Sequence, residues 1–399
     1  MSKRRPSSAA SVLIGDRRVG TIEFSKGDSW FLYEDIAADH PVLGQRFEDD
    51  PSYGREVARG GVPVWFANLL PERESGLRQL INRDLGVLES HDFKLLLHLG
   101  EDLPGAVRVV PQGDSTEMPP PGTGISAGGS LGFSLSGMQL KFSMIRDGSR
   151  FVLPEHGRGG NWIVKLPSHI HSRLPLNEFW MMTWADRVGI DVPEHTLVSP
   201  ADIEGIRREL LEGGEQLYAI RRFDREPGGR VHQEDFAQIL DVRPHNKGLG
   251  SQELLAQVVS SVCPPEDYDE LIRRIVFCIA CGNTDEHLKN WSLRYPDGRA
   301  ARLSPSYDLV SSTPYPRFRK SQMTLSIAGQ RDVRYIDLDH FRRLADQAGA
   351  DEVATVECVE RTIGDIQDRW VGVKSEGGLP AFISDHVTER LSTLPLMRL

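Results

Sequence analysis

Residues 282–308 read GNTDEHLKNWSLRYPDGRAARLSPSYD and begin where an almost unbroken apolar run, residues 275–281, ends. The run has the length and composition of a buried helix, and Gly282 is a typical helix stop. Asp285 and Asn290 are therefore expected in a polar loop at the edge of a hydrophobic core.

The rest of this stretch predicts a β-hairpin. Apolar residues alternate with polar ones over residues 291–295, PDG at residues 296–298 is typical of a turn, and residues 299–304 can return as a second strand. The returning strand would bring Asp308 back beside Asn290.

Asp285, Asn290 and Asp308 together suit phosphoryl transfer. One carboxylate can accept the proton of an attacking hydroxyl, while an amide oxygen and a second carboxylate hold Mg²⁺ on nucleotide phosphates. The spacing of Asp285 and Asn290 is that of the protein-kinase catalytic loop, in which a downstream Asp binds the metal. The alternative interpretation of this loop is an ordinary solvated turn.

The composition is that of a globular protein with two or three domains. The chain has 399 residues, 39% of them hydrophobic, and a formal net charge of −10, which argues against nucleic-acid binding by the chain itself. The basic residues 3–5 and 317–320 are expected to be a solvated tail and a surface face. No segment reaches the roughly 18–20 apolar residues of a membrane helix, and the first residues lack the apolar region of a signal peptide. We therefore expect a cytoplasmic protein.

The four cysteines are too few and too scattered for a disulfide framework. Cys278 and Cys281 have the spacing of half a zinc site, but both belong to the apolar run and the sequence offers no second pair. We expect them to pack in the core.

Residues 111–130, rich in Pro, Gly and Ser, form the clearest linker and divide the chain. Residues 1–110 predict a small α/β subdomain, residues 131–223 a strand-rich lobe and residues 224–399 a helical lobe. The strands of the first part are expected at 10–14, 19–24 and 30–33, and its helices at 62–70, 72–82 and 92–99. The main helices of the last part are expected at 266–281, 337–348, 353–370 and 380–392. This order predicts an α+β, bilobal protein-kinase-like fold preceded by the subdomain.

Two segments of the strand-rich lobe carry candidate nucleotide-binding groups. SLSGMQLK at residues 134–141 is a small-residue turn that opens into a hairpin, and such a turn can lay backbone N–H groups over phosphates. Lys165 lies in the apolar strand pattern WIVKLP, residues 162–167, where its ammonium can reach either solvent or nucleotide phosphates. Glu178 follows on the next helix, where it can hold Lys165 in place or serve as a helix-start residue.

The strand pattern LYAIRRFDR, residues 217–225, runs into a polar exit. In a two-lobed nucleotide enzyme such an exit is the hinge, where backbone groups meet the adenine and Asp224 can meet the ribose. Residues 231–236, VHQEDF, are then expected to begin a helical region, in which Gln233 to Asp235 form a helix start or support the site.

Six of these motifs, in this order, resemble those of HipA-family serine/threonine kinases, the toxins of type II toxin–antitoxin pairs. They are SLSGMQLK at 134–141, WIVKLP at 162–167, RFDR at 222–225, HQED at 232–235, NTDEHLKN at 283–290 and SYD at 306–308. The strand around Val19 and WFANLLP at residues 65–71 also resemble the small domain that precedes the family's kinase core. The resemblance covers nearly the whole chain.

The resemblance implies a role for each matching position. Lys165 would contact the ATP phosphates, Asp285 would be the catalytic base, and Asn290 and Asp308 would hold Mg²⁺. Further ATP contacts are implied in the phosphate loop, the hinge and the catalytic loop, at Ser136, Gly137, Gln139, Arg221, Phe223, Asp224, His287 and Lys289.

Two serines of the phosphate loop are candidates for self-modification. Ser134 matches the family's autophosphorylated serine, whose modification switches the kinase off, and Ser136 is a second candidate two residues on. The resemblance also implies partners. These are an aminoacyl-tRNA synthetase as the protein substrate, whose phosphorylation stops translation and growth, and a HipB-like DNA-binding antitoxin that neutralises the kinase. Operator DNA would be reached only through the antitoxin, and no membrane partner is expected.

The catalytic loop departs from that of ordinary protein kinases, because His287 stands two residues after Asp285, where a lysine is usual. Three other functions remain open from the sequence: a nucleotide-binding pseudokinase or interaction module, a kinase of a small molecule or lipid, and a metal-dependent hydrolase with Asp285, His287 and Asp308 as ligands. A pseudokinase is expected to have lost at least one of Lys165, Asp285, Asn290 and Asp308, and all four are present.

Overall fold

The structure is a computed structural model that describes residues 8–34, 40–84, 91–113, 139–154, 159–168, 170–211 and 215–398. Ser134, Ser136, Gly137 and residues 114–130 of the expected linker lie outside the described residues. The described chain forms an N-terminal unit, a sheet lobe and a helical lobe, which are presented in that order.

The N-terminal unit is a four-stranded antiparallel sheet covered by short helices. Its elements are β1 (Ser8–Ile14), β2 (Arg17–Ser25), β3 (Asp28–Tyr33), α1 (Gln45–Asp49), α2 (Val64–Ala67), α3 (Gly76–Asp84), α4 (Asp92–Leu99) and β4 (Val107–Pro111), with strand order β3-β2-β1-β4. Alternate residues of β1, namely Ala10, Val12 and Ile14, are buried because one face of the strand lies on the core. The rings of Phe47 and Trp65 pack edge to face in that core, with centroids 5.8 Å apart.

Two helices of this unit are shorter than the sequence predicted. The segment 62–70 is helical only over α2, because its last backbone N–H groups bond to the third residue back and tighten the chain into turns. The segment 72–82 becomes helical only at Gly76. There, the N–H of Ser75 donates to the carbonyl of Glu72 (2.9 Å), so the residues before Gly76 form a turn that precedes the helix.

The sheet lobe is a six-stranded sheet with one long helix. Its elements are β5 (Lys141–Asp147), β6 (Arg150–Val152), β7 (Trp162–Lys165), α5 (Leu174–Val188), β8 (His195–Val198), β9 (Ile203–Glu204) and β10 (Leu217–Arg221), with strand order β8-β10-β7-β5-β6-β9. In the register of this sheet, Lys165 on β7 pairs with Tyr218 of β10 on one side and with Lys141 of β5 on the other. The sequence-predicted lysine therefore lies on a central strand.

The helical lobe is built around one apolar helix. Its elements are β11 (Arg225–Glu226), β12 (Gly229–Arg230), β13 (His232–Asp235), α6 (Phe236–Ile239), α7 (Gln252–Val262), α8 (Pro265–Cys281), β14 (Ser292–Tyr295), β15 (Arg302–Leu303), α9 (Leu338–Ala348), α10 (Glu352–Ser375) and α11 (Ala381–Thr393). Residues 275–281 of α8 are all buried, including Cys278 and Cys281, which pack in the core as the sequence predicted. None of the helices in the described ranges is long and apolar enough to cross a membrane.

The four helices predicted for this lobe agree with α8, α9, α10 and α11, but the start of the lobe differs from the prediction. Residues 232–235 form β13, which pairs antiparallel with β14, and only Asp235 has the role of a helix start. Its side chain accepts a hydrogen bond from the backbone of Gln238 in a capping box. The segment is a strand because β14, distant in sequence, provides its hydrogen-bonding partner.

Candidate active site

The catalytic loop begins where α8 ends, at Gly282. This residue adopts a left-handed conformation with φ of 78°, and its N–H donates to the carbonyl of Cys278 as a helix cap. A Cβ atom at this position would lie 2.2 Å from the hydroxyl of Thr313 and 2.9 Å from Nε of Arg390. Only glycine fits both the backbone conformation and the space, so the sharp exit from the helix is fixed.

The loop is held in shape by buried side chains around Asp285. The side chain of Asn283 donates to Glu286 (2.8 Å) and accepts from the N–H of Asp285 (3.3 Å). The N–H of Thr284 donates to the hydroxyl of Ser312 (2.9 Å), which ties the loop to the segment after Asp308. Asn283, Thr284 and Glu286 are buried, whereas Asp285 is exposed. The loop therefore presents the Asp285 carboxylate to solvent.

The hairpin of β14 and β15 returns the chain to the loop. The N–H of Ser304 donates to the carbonyl of Ser292 (2.9 Å), and the hydroxyl of Tyr307 donates to the carbonyl of Lys289 (3.0 Å), next to Asn290. Asp308 follows with φ of 58°, a left-handed conformation that is uncommon outside glycine and is often found at functional sites. The backbone thus places Asp308 beside the loop that carries Asn290.

Lys165 links the two lobes at this point. Its ammonium contacts the carboxylates of both Glu178, on α5, and Asp308. The relative exposures of Lys165 and Glu178 are 6% and 1%. The side chain of Asn177, the residue before Glu178, donates to the carbonyl of Ser311 (2.8 Å) and accepts from its N–H (3.0 Å). Therefore α5 holds both Lys165 and the segment of Asp308 in fixed positions.

The charges in this cluster are set by two carboxyl groups, Glu178 and Asp308, that contact one ammonium group, that of Lys165. Burial opposes the charge of Lys165, but Asp308 and Glu178 outweigh it and raise the pKa of the lysine. Burial likewise opposes the charge of Asp308, but the Lys165 ammonium holds the pKa of this carboxyl well below its usual range. Burial raises the pKa of Glu178 to about 7, against the attraction of Lys165. Asp308 is therefore the carboxylate that stays ionised and available to a cation.

In the catalytic loop, the pKa values of Asp285 and His287 are both shifted. Although Asp285 is exposed, the surrounding protein shields part of its carboxylate from water and raises its pKa; the Lys247 charge opposes this rise, and Asp308 and Glu72 add to it. Burial, with a smaller contribution from the Lys247 charge, lowers the pKa of His287 to about 4. His287 is therefore a neutral imidazole at neutral pH, and Asp285 has the stronger proton affinity that a general base requires.

The residues present fit Mg²⁺ and a nucleotide. Asn290 and Asp308 offer an amide oxygen and a carboxylate, the oxygen donors that Mg²⁺ prefers. Buried polar atoms that have no hydrogen-bond partner among the described residues include Gln139 Nε2, Glu178 Oε2 and His287 Nδ1. Such atoms call for an explanation: phosphate oxygens of a bound nucleotide could accept from the two nitrogen atoms, and water could donate to the Glu178 oxygen.

The metal-hydrolase alternative requires a different grouping. In the part of the chain that the structure describes, no three His, Cys, Asp or Glu side chains are close enough together to hold a metal ion. Asp285, His287 and Asp308 therefore do not form the three-ligand site of that alternative.

The three candidate hinge residues, Arg221, Phe223 and Asp224, have different surroundings in the structure. Phe223 packs against Tyr307, the residue before Asp308, with ring centroids 5.7 Å apart. Arg221 is exposed and pairs loosely with Glu194 (3.8 Å). Asp224 is 3% exposed and accepts hydrogen bonds from two arginines, Arg222 and Arg225, and from the N–H of Gly105. Because its oxygens are committed to these donors, we do not assign Asp224 a contact with the ribose.

Lys289 was also expected to contact ATP, but it has other partners in the structure. Its ammonium lies 2.6 Å from Asp235 Oδ2 and donates to the backbone carbonyl of Asn68 (2.8 Å). Asn68 belongs to the N-terminal unit, whose Trp65 also donates to the buried carboxylate of Glu234 (3.0 Å). The N-terminal unit is thus docked on the back of the catalytic loop. The sequence shows which polar residues are present, but no local pattern indicates which of them become partners across this interface.

A groove with a volume of about 400 Å³ lies beside the catalytic loop, between residues 245–249 and residues 322–331. It adjoins the loop because the N–H and hydroxyl of Thr324 both donate to the carbonyl of Thr284 (3.2 and 2.8 Å). Leu249, at its edge, is 62% exposed. The groove is thus joined to the catalytic loop at Thr284, the residue before Asp285.

Comparisons with known proteins identify the family. Residues 133–370 match the HipA-like C-terminal domain and residues 10–110 the HipA N-terminal domain. The chain is 39% identical over 343 residues to "Putative kinase Y4dM" of Sinorhizobium fredii, covering 84% of this chain and 83% of that protein. It is 25% identical over 311 residues to the serine/threonine-protein kinase toxin HipA of Shewanella oneidensis, covering 68% and 67%.

A solved structure shows the same fold. The complex of Shewanella oneidensis HipA, HipB and operator DNA contains a chain that superposes with a TM-score of 0.72 at 21% identity, covering 96% of both chains. The predicted α+β, bilobal kinase-like fold is therefore correct. On the family matches and this fold, the chain belongs to the HipA family of kinases.

Proposed function

We propose that this chain is a Mg²⁺- and ATP-dependent kinase that phosphorylates serine or threonine hydroxyls of a protein. The observation that carries this proposal is the contact of Lys165 with both Glu178 and Asp308. This cluster supports the proposal because a kinase needs a strand lysine, a helix glutamate and a metal-binding aspartate close together. The exposed carboxylate of Asp285 lies on the adjacent loop, where an incoming hydroxyl can reach it.

In the proposed reaction, the substrate hydroxyl oxygen attacks the γ-phosphorus of ATP, and the bond from that phosphorus to the bridging β–γ oxygen breaks. Asp285 accepts the hydroxyl proton, and the products are the phosphorylated protein and ADP. Lys165 binds the phosphates, while Asn290 and Asp308 hold the metal ion. Bound Mg²⁺ supplies neutralisation of the phosphate charge. The chain's own contribution is mainly to position these groups.

The groove beside the catalytic loop is our proposed location for the acceptor segment of the protein substrate. Thr324 joins one wall of this groove directly to the catalytic loop, so a bound segment would be held close to the base. We extend to this chain the partners implied by its family. These are an aminoacyl-tRNA synthetase as substrate, with translation arrest as the result, and a HipB-like antitoxin that links the kinase to operator DNA.

Self-inactivation is the last element of the proposal. Phosphorylation of Ser134 or Ser136 would remove the phosphate loop from the nucleotide site and silence the enzyme. Both serines lie outside the described residues, whereas Gln139, at the end of the same loop, has a buried amide without a partner in the described chain.

The kinase proposal is tested by incubating the purified chain with Mg²⁺ and γ-labelled ATP in a lysate, beside Asp285→Asn. We expect phosphoserine or phosphothreonine on a small set of proteins with the wild type and none with the variant, while both bind ATP in calorimetry. Wild-type chain that binds ATP without any transfer would favour the pseudokinase. Label recovered only in small molecules or lipids would favour a kinase of a non-protein substrate.

A further inference from the structure

One lysine near the catalytic base has no role in the mechanism above. Lys247 lies in the loop that follows α6, and its carbonyl accepts a hydrogen bond from the N–H of Leu288 (3.0 Å), inside the catalytic loop. Its ammonium lies 2.7 Å from a carboxylate oxygen of Glu72, which belongs to the N-terminal unit. The Lys247 and Glu72 side chains are 31% and 32% exposed, so this ion pair is at the accessible edge of the site.

The position of Lys247 brings its charge to the reacting groups. Lys247 lowers the pKa of Asp285 against the effect of lost solvent, and Glu72 acts in the opposite sense. The backbone of Lys247 is hydrogen-bonded to the catalytic loop, whereas its ammonium, at the end of a long side chain, lies at the accessible edge of the site. An ammonium so placed can turn toward phosphate oxygens without movement of the backbone.

Two other lysines of the site have fixed partners, and a third, Lys141 on β5, acts on Asp308 and Glu178. Lys165 is buried between Glu178 and Asp308. Lys289 is tied to Asp235 and to the N-terminal unit. The position two residues after the base, where protein kinases carry a lysine, holds His287, whose pKa burial lowers to about 4. The catalytic loop therefore offers no free positive charge of its own, although phosphoryl transfer develops negative charge at the γ-phosphate.

Building on the proposed kinase function, we propose that Lys247 contacts the γ-phosphate of ATP and replaces the missing catalytic-loop lysine. In the nucleotide-free structure Glu72 is the resting partner of its ammonium. The γ-phosphate, which carries more negative charge than one carboxylate, competes for this ammonium when ATP binds. Lys247 would thus be a catalytic residue from outside the catalytic loop.

The test compares the affinities of Mg²⁺·ATP and Mg²⁺·ADP, measured by calorimetry, for the full wild-type chain, Lys247→Met, Lys247→Arg and Glu72→Gln. A lysine on the γ-phosphate contributes to ATP but not to ADP binding. We expect Lys247→Met to weaken ATP binding about tenfold while ADP binding stays unchanged. Its kcat should fall about 10²- to 10³-fold, as for the loss of one group that stabilises the transition state. Lys247→Arg should restore most of the ATP preference.

Glu72→Gln separates this role from a structural one. It breaks the same ion pair but leaves the ammonium in place and free of its competing carboxylate, so the ratio of ATP to ADP affinity should equal or exceed the wild-type value. If Lys247 only docks the N-terminal unit, Lys247→Met and Glu72→Gln will lower the melting temperature and the rate alike, with an unchanged affinity ratio. That result, or a change only in the KM of the protein substrate, would overturn the inference while leaving the kinase function intact. Failure of the wild type to bind ATP would overturn both.

Discussion

Replacement of Lys289 distinguishes a structural lysine from a nucleotide ligand. The family resemblance implied that Lys289 contacts ATP, whereas in the structure its ammonium donates to Asp235 Oδ2 (2.6 Å) and to the carbonyl of Asn68 (2.8 Å). In the salt bridge, the side chains of Lys289 and Asp235 are 17% and 14% exposed. We therefore expect Lys289→Met to destabilise the protein and to leave ATP affinity nearly unchanged.

The magnitude follows from this partial burial. An exposed ion pair contributes about 0–1 kcal/mol and breaking a fully buried one costs about 3–5 kcal/mol. A mostly buried pair whose lysine also donates two hydrogen bonds to Asn68 should therefore cost about 2–3 kcal/mol. At about 2 °C per kcal/mol for a unit of this size, the melting temperature should fall roughly 4–6 °C. The catalytic loop also loses an anchor, so kcat should fall while the Kd of ATP changes by less than about twofold.

The matched control is Asp235→Asn. Asparagine is as good a helix cap as aspartate, so this variant keeps the hydrogen bond to Gln238 and removes only the charge that pairs with Lys289. In a double-mutant cycle, Lys289→Met should cost about 1–2 kcal/mol less in the Asp235→Asn background. The assays are thermal unfolding and calorimetric titration with ATP. An unchanged melting temperature with a large loss of ATP affinity would refute the structural assignment and restore the nucleotide contact.

Three further predictions concern the loop, the off-switch and pH. Gly282→Ala should lower the free energy of unfolding by about 3 kcal/mol, because the residue has a left-handed backbone conformation and the added methyl would lie 2.2 Å from the hydroxyl of Thr313. The control is Gly364→Ala, in open space on α10, which should be neutral or stabilising in the same thermal melt. Joint replacement of Ser134 and Ser136 by Ala should give an enzyme whose rate stays constant during incubation with ATP, and a progressive loss of rate would place the off-switch elsewhere. Because the pKa of Asp285 is raised and a base must be deprotonated, kcat/KM should rise with pH through a limb that lies above the ordinary aspartate pKa of about 3.9. A rate that stays constant down to about pH 4 would contradict Asp285 as the base.

Local patterns predicted the centre of the structure well. The apolar run before Gly282 is buried in α8, and residues 292–303 form the expected hairpin, since helix stops and turns are determined by neighbouring residues. The contact of Lys165 with Glu178 was one of two interpretations of the sequence, and the structure favours it over a helix-start role. In the structure Glu178 lies in the second turn of α5, because that helix begins at Leu174.

The misjudged features depend on partners far away in the chain. Asp224 was expected at the ribose, but Gly105 and the arginines beside it use its oxygens, and a sequence motif does not show which donors arrive from another unit. Residues 232–235 have polar helix-start chemistry, yet they form a strand because β14 lies beside them. Likewise, the docking of the N-terminal unit through Asn68 and Glu72 depends on tertiary packing that has no local signal.

Mass spectrometry of the intact chain and its peptides, after incubation with Mg²⁺ and ATP, tests the central claim most directly. The comparison is with Asp285→Ala, which removes the base but leaves Lys165 and Asp308 to bind the nucleotide. The account predicts one added phosphate or two, located on Ser134 or Ser136, in the wild type alone. The same phosphate on the Asp285→Ala chain, or none on wild-type chain shown to start unmodified, would contradict a self-silencing kinase that uses Asp285 as its base.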